Sequence, residues 1–241
     1  GYDITPDPMG YNEAYYTPSF ELVEKIEMIR GAAALQYGPQ VGGLVNYILE
    51  TPVFEKSFSG AVQQTFGSYG LSSSLIKVRA GSKKWAYLAS SQFRMGDGFR
   101  PNSDFQSNQS YVRFDWKAFK NGLFSFELTR SMALAKQAGG LDEAQYLLNS
   151  MTSSRSRNYF SSHWLMPVII FNYKANAILN YQIQLFAMSS GRTQLGFIKT
   201  NEVLDVPNSE GIYPNRLMDR DKYTSYGLET RGPDSVNYNV S

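Results

Sequence analysis

The chain of 241 residues has no cysteine, a single histidine (His163) and no apolar run long enough to cross a bilayer as a helix. Lack of cysteine rules out a disulfide framework and suits an exposed or periplasmic setting, though it excludes little else. One histidine and no cysteine speak against a transition-metal site built from protein ligands. The longest apolar stretch, 164–171, is interrupted by Pro167 and falls far short of the roughly 18 residues that a membrane helix needs. Charge is scarce as well. Only 18% of residues are charged and the net charge is +2, so overall charge points to no nucleic-acid partner. Gly1-Tyr2-Asp3 opens without the basic stretch and apolar core of a secretion signal. No nucleophile–base pair, phosphate loop or carboxylate pair stands out, so neither a catalytic residue nor an enzyme is expected.

Aromatics are plentiful at 15%, led by 17 tyrosines. A mean hydropathy of −0.35 is that of an ordinary soluble protein. A membrane β-barrel has similar averages, because only alternate residues face lipid. Composition therefore leaves both classes open.

From about residue 57 the sequence alternates with period two. Val112, Phe114, Trp116 and Ala118 fall on one face, with Arg113, Asp115 and Lys117 on the other. Phe124, Phe126 and Leu128 oppose Ser125, Glu127 and Thr129, and Trp85, Tyr87, Ala89 and Phe93 oppose Ser90, Gln92 and Arg94. Tyr181, Ile183, Leu185 and Ala187 alternate with Asn180, Gln182, Gln184 and Phe186. Either a half-buried soluble sheet or a lipid-facing barrel wall gives this pattern. Connectors favour the wall. Tight turns at Tyr69-Gly70, Gly81-Ser82-Lys83 and Asn121-Gly122 alternate with long polar segments at 96–110, 137–162 and 191–222. About eight strands are expected, with Trp85, Trp116 and Trp164 in aromatic girdles and His163 at an interface. Residues 142–149 predict a brief helix, and Ser19 predicts a capped helical turn over 20–25.

Before these strands stands Ile29-Arg30-Gly31, then Tyr37-Gly38-Pro39-Gln40-Val41-Gly42-Gly43, between apolar runs 26–29 and 44–49. The runs read as strands, and Gly31, Gly38, Gly42 and Gly43 as structural glycines that permit the turns. This pattern resembles the end of the plug domain of TonB-dependent outer-membrane receptors. Gly139-Gly140-Leu141 with Tyr146, Asn215-Arg216, and Tyr226-Gly227-Leu228-Glu229-Thr230-Arg231 are similar to the ferric citrate receptor branch.

The resemblance implies an all-β transmembrane barrel, a partial antiparallel meander, joined to the C-terminal part of an α+β plug. Residues 1–52 would be plug and 53–241 the first part of a 22-stranded barrel. About eight strands cannot close around a plug, so the chain is expected to be an internal piece of a longer polypeptide. The implied function is import of an iron chelate, such as ferric citrate or a siderophore, across the outer membrane of a Gram-negative bacterium. Alternatives are cobalamin, oligosaccharide or peptide cargo, or a barrel component of a larger envelope complex without import. Implied partners are the TonB–ExbB–ExbD complex (through a segment outside this chain), the chelate, and outer-membrane lipid and lipopolysaccharide; iron enters as cargo, and no cofactor is expected. Arg30 is the implied plug–barrel lock, with Glu229 as partner and Glu127 as a second choice. Gln40 and Tyr37 would face the substrate. Loop arginines Arg155, Arg157, Arg192, Arg216 and Arg220 suit an anionic chelate, Arg216 and Arg220 most of all.

Overall fold

The computed structural model describes residues 4, 16–31, 42–176, 178–196, 218–231 and 238–240, and of 192, 194–196, 218–231 and 238–240 the backbone alone. The first sheet is a hairpin of β1 (Val23–Ile29) and β2 (Leu44–Leu49), paired antiparallel. At Gly43 φ is +112° and a Cβ would lie 2.5 Å from the Ile29 carbonyl oxygen, so only glycine fits. Gly31 also has positive φ, whereas Gly42 stands in open space. Residues 32–41, with Tyr37, Gly38 and Gln40, lie outside the described residues. The expected helical turn shrinks to a 3-10 turn at Phe20–Leu22, because Val23 and its successors pair with β2 instead. Ser19 does not cap it; its hydroxyl donates to Glu21 Oε2 at 2.6 Å.

The second sheet is an antiparallel meander of nine strands, each bonded to its sequence neighbour. It comprises β3 (Ser59–Phe66), β4 (Ser72–Gly81), β5 (Trp85–Gly96), β6 (Phe105–Phe119), β7 (Gly122–Lys136), β8 (Tyr159–Lys174), β9 (Asn180–Gly196), β10 (Met218–Arg231) and β11 (Tyr238–Val240). Its burial is inverted relative to a soluble sheet. On β6, Val112, Phe114 and Trp116 are 40–47% exposed, while Tyr111 and Asp115 are 3%. Phe126, Ile169, Ile183 and Leu185 share the exposed face, and Gln92, Ser125, Glu127 and Thr129 are buried on the other. The small sheet covers that polar inner face. On β8 the outward apolar positions run from Leu165 to Tyr173, roughly 27 Å of strand, or about 20 Å of height at a tilt near 40°. That approaches the apolar band of a barrel wall, about 25 Å tall.

Short turns gather at one end of this wall, at 82–84, 120–121 and 175–179, and the longer described connectors, 97–104 and 137–158, at the other. The long connectors are shorter than the sequence suggests, because β6, β8 and β9 run on through polar residues. The Tyr69-Gly70 hairpin, with φ +57° and +66°, lies at the long-loop end. The expected Asn121-Gly122 turn closes one residue earlier, at Lys120-Asn121, with Phe119 opposite Gly122. Gly122 is there for space: a Cβ would run into the Phe119 ring. The predicted helix forms as α1 (Glu143–Leu148), with a capping box in which Asp142 accepts from the Gln145 amide at 2.7 Å.

Trp85 and Trp116 pair across β5 and β6 on the outer face near the short turns, continued by Phe124 and Phe171, whose rings stack 4.6 Å apart. Trp164 departs from the girdle expectation. It is 2% exposed on the inner face, against Tyr16. Both faces of β8 are apolar there, so alternation alone cannot choose its side. His163 is exposed on the outer face, as an interfacial position requires.

Candidate functional site between the small sheet and the wall

The small sheet and its leading segment dock on the wall through two apolar anchors with a polar centre between them. Leu22, aimed inward by the 3-10 turn, packs with Leu49 against Leu88 and Tyr111. Tyr16 packs against Trp164, Met166 and Met188. Burial pushes the Tyr16 phenol well up, despite its hydrogen bond with Thr129.

The polar centre is built around Glu50, which follows β2 and is fixed by its amide donating to the Leu22 carbonyl at 2.9 Å. Lys77 Nζ on β4 donates to Glu50 Oε1 at 2.7 Å and to the Glu21 carbonyl at 3.0 Å. Arg79 Nη2 lies 3.2 Å from Glu50 Oε2, an ion pair without the alignment of a hydrogen bond. Gln92 Nε2 donates to Glu21 Oε1 at 3.1 Å, and Gln109 Nε2 to the Thr17 carbonyl at 3.0 Å. Such charge-assisted contacts hold orientation, and each contributes only modestly against water. The arrangement therefore fixes the orientation of the small sheet on the wall. Glu50→Gln should weaken docking by about 1–2 kcal/mol, read as faster amide exchange in β1 and β2 with the wall strands unchanged.

Burial alone would raise the Glu21 carboxyl. Hydrogen bonds from Ser19, its own backbone amide and Gln92, with the Arg94 charge, outweigh that and hold it below the ordinary glutamate value. A lowered folded-state value means that Glu21's contribution is complete above the ordinary glutamate range. It is lost as pH falls through the lowered value. Acidification should accordingly speed β1 exchange beyond its intrinsic pH dependence, and Glu21→Gln should abolish that excess.

A second ionic group lies within the wall. Arg113 donates through Nε to Asp115 Oδ1 at 2.8 Å and through Nη1 to Glu127 Oε1 at 2.7 Å, all three half-buried or buried. Glu127 is thus engaged by Arg113.

Arg30 stands exposed just past β1 and makes no ion pair among the described residues. Glu229 falls on β10 opposite Phe186, and Arg220 opposite Gln194; only their backbones are described. Arg216 lies outside the described residues. Arg155 is buried in the 137–158 loop, where Nη1 donates to the Ser154 carbonyl at 2.8 Å. That loop is a folded element: Asn102 Nδ2 reaches the carbonyls of Gln137, Arg155 and Asn158 at 2.9–3.1 Å. Glu21, Glu50, Lys77 and Arg79 were not singled out by sequence reasoning. The one available signal was Lys77 and Arg79 alternating on β4, which says nothing of their partner.

No protein-family model matches the sequence, and no curated protein matches it. Among solved structures, the unliganded ferric citrate transporter FecA superposes with a TM-score of 0.67 at 18% identity, covering 88% of this chain and 31% of that one. FpvAI, solved in complex with pyocin S2, gives 0.66 at 14% identity over 87% and 29%. The copper transporter OprC gives 0.65 at 14% identity over 96% and 34%. The chain spans about a third of the length of these structures, which are transporters and receptors rather than enzymes. It therefore has the fold of part of a TonB-dependent outer-membrane receptor, a run of consecutive antiparallel barrel strands with a small sheet packed on their inner face.

Proposed function

We propose that this chain is part of a receptor importing an iron chelate, ferric citrate or a siderophore, across the outer membrane of a Gram-negative bacterium. The observation that carries the reading is the docking itself: a small sheet held by breakable polar contacts on the polar inner face of a wall that is apolar outside. In this reading residues 1–52 end the plug and 53–241 begin a 22-stranded barrel. The TonB–ExbB–ExbD complex, engaging a segment outside this chain, pulls the plug to open a passage.

Tyr37 and Gln40 would offer hydrogen bonds to the chelate from the glycine-rich loop, and Arg216 and Arg220 its anionic groups. Arg155, already spent on the backbone of its own loop, would position that loop instead. Lipid and lipopolysaccharide would surround the outer face. Arg30 would lock the plug against Glu229, since Glu127 is taken by Arg113. Exchanging the two charges, Arg30→Glu with Glu229→Arg, should restore what either change alone loses in uptake; no rescue would discard the pair.

A strain lacking the gene should fail to grow on ferric citrate as sole iron source and recover with the gene restored. Unchanged growth would reject ferric citrate. The similarity to a copper transporter over 96% of the chain favours one second reading, a different metal as cargo, which a copper-uptake assay in the same strain separates. Growth tests with cobalamin, oligosaccharide and peptide cover the remaining cargoes, and wild-type behaviour in all would favour a docking role in a larger envelope complex.

A further inference from the structure

We propose that the short-turn rim of the wall binds the headgroups of anionic phospholipids, through Lys56, Lys83, Lys84, Lys120 and Lys174. The inference rests on the reading that the wall spans a membrane. All five lysines are exposed, and none is in an ion pair among the described residues. Glu55 is the one carboxylate on the described turns at this end. The long-loop end differs: segments 97–104 and 137–158 carry Asp97, Asp104, Asp142 and Glu143 beside Arg100, Arg155 and Arg157. Among the described residues, unpaired positive charge is thus concentrated at the short-turn end.

Its position relative to the aromatics gives the charge a target. Lys84 directly precedes Trp85, Lys120 follows Phe119, and Lys174 follows Tyr173. Phe119 stacks edge-on against Phe171 and Tyr173, at 6.1 and 6.0 Å. Aromatic side chains of this kind sit at headgroup level. One residue further along a strand is about 3.3 Å outward, and a lysine stem extends its ammonium beyond that. The ammonium groups therefore stand at the depth of the phosphates, where each basic residue near an anionic surface adds attraction. Ile178 is 94% exposed at the tip of the 175–179 turn, an apolar group placed to enter the headgroup region beside Lys174.

The test uses the full-length protein containing this chain, reconstituted in mixed phosphatidylethanolamine–phosphatidylglycerol bilayers, with the lipid retained after mild extraction quantified by mass spectrometry. Retained phosphatidylglycerol should exceed its bulk share about fivefold or more. The excess should vanish when Lys56, Lys83, Lys84, Lys120 and Lys174 are all changed to glutamine, and survive when they are changed to arginine. Should the glutamine variant assemble poorly, raising salt to about 0.5 M on the unaltered protein provides the same test, since surface attraction is then screened. An inserted protein that retains lipid at the bulk ratio, or whose excess is indifferent to salt, overturns the rim proposal alone. A protein that does not enter bilayers overturns it together with the membrane reading.

Discussion

Arg113→Ala should destabilise the wall by about 3–5 kcal/mol, because it takes the bridging counter-charge away from two buried carboxylates that face each other. Arg113 bridges Asp115 on its own strand and Glu127 on the neighbouring one, with Nη2 also 3.4 Å from Ser125 Oγ. The urea midpoint for unfolding from lipid vesicles should fall markedly. The cost should lie in the orphaned charges more than in the lost attraction, since buried ion pairs roughly cancel against well-packed apolar substitutes. A triple variant, Arg113→Met with Asp115→Asn and Glu127→Leu, should therefore regain most of the midpoint. If the single change costs under about 0.5 kcal/mol, or the triple variant is worse than the single, the group is solvated and the account fails.

Leu22→Ala should cost about 2–4 kcal/mol, as for other buried leucines truncated to alanine. Leu22 is 2% exposed and reaches Leu88 and Tyr111 on the wall from a short turn. The loss should appear locally, because Leu22 belongs to the docked segment rather than to either sheet's own hydrogen-bond ladder. Amides of β1 and β2 should exchange about 30- to 1000-fold faster, with β6 and β7 unaffected. Equal acceleration in all four strands would mean that the small sheet and the wall open as one unit. Combined with Glu50→Gln, the effects should exceed or fall short of additivity, since Glu50 is tied to the Leu22 carbonyl.

The strands were legible in the sequence wherever one face meets lipid and the other meets polar groups. Val112-Arg113-Phe114-Asp115-Trp116 shows both its element and its sides. The same signal fades above the band: residues 106–110 of β6 are Gln-Ser-Asn-Gln-Ser, polar on both faces, with Gln109 turned to the docked Thr17 carbonyl, and hence no apolar period. That is why β6 and β8 begin earlier, and β9 ends later, than the pattern suggests. Trp164 was misplaced for the opposite reason, apolar residues on both faces. Of the glycines read as turn formers, Gly31, Gly43 and Gly70 have positive φ, whereas Gly42 stands in open space. Glu50 and Lys77 were not legible, because they sit 27 residues apart on different sheets and only docking brings them together.

The inverted wall also bears on how this sequence can drift. A protein interior is close-packed, so inner residues such as Leu88 and Thr129 are held to a particular volume and shape. Lipid is a fluid that conforms to whatever surface it meets. Val112, Phe114, Ile169 and Leu185 are therefore constrained in polarity and free in shape, and homologous walls should exchange Val, Leu, Ile and Phe there readily. A family of such walls can diverge until little identity remains on the outside, while the inner rows, where Arg113 meets Glu127 and Lys77 meets Glu50, change only in concert.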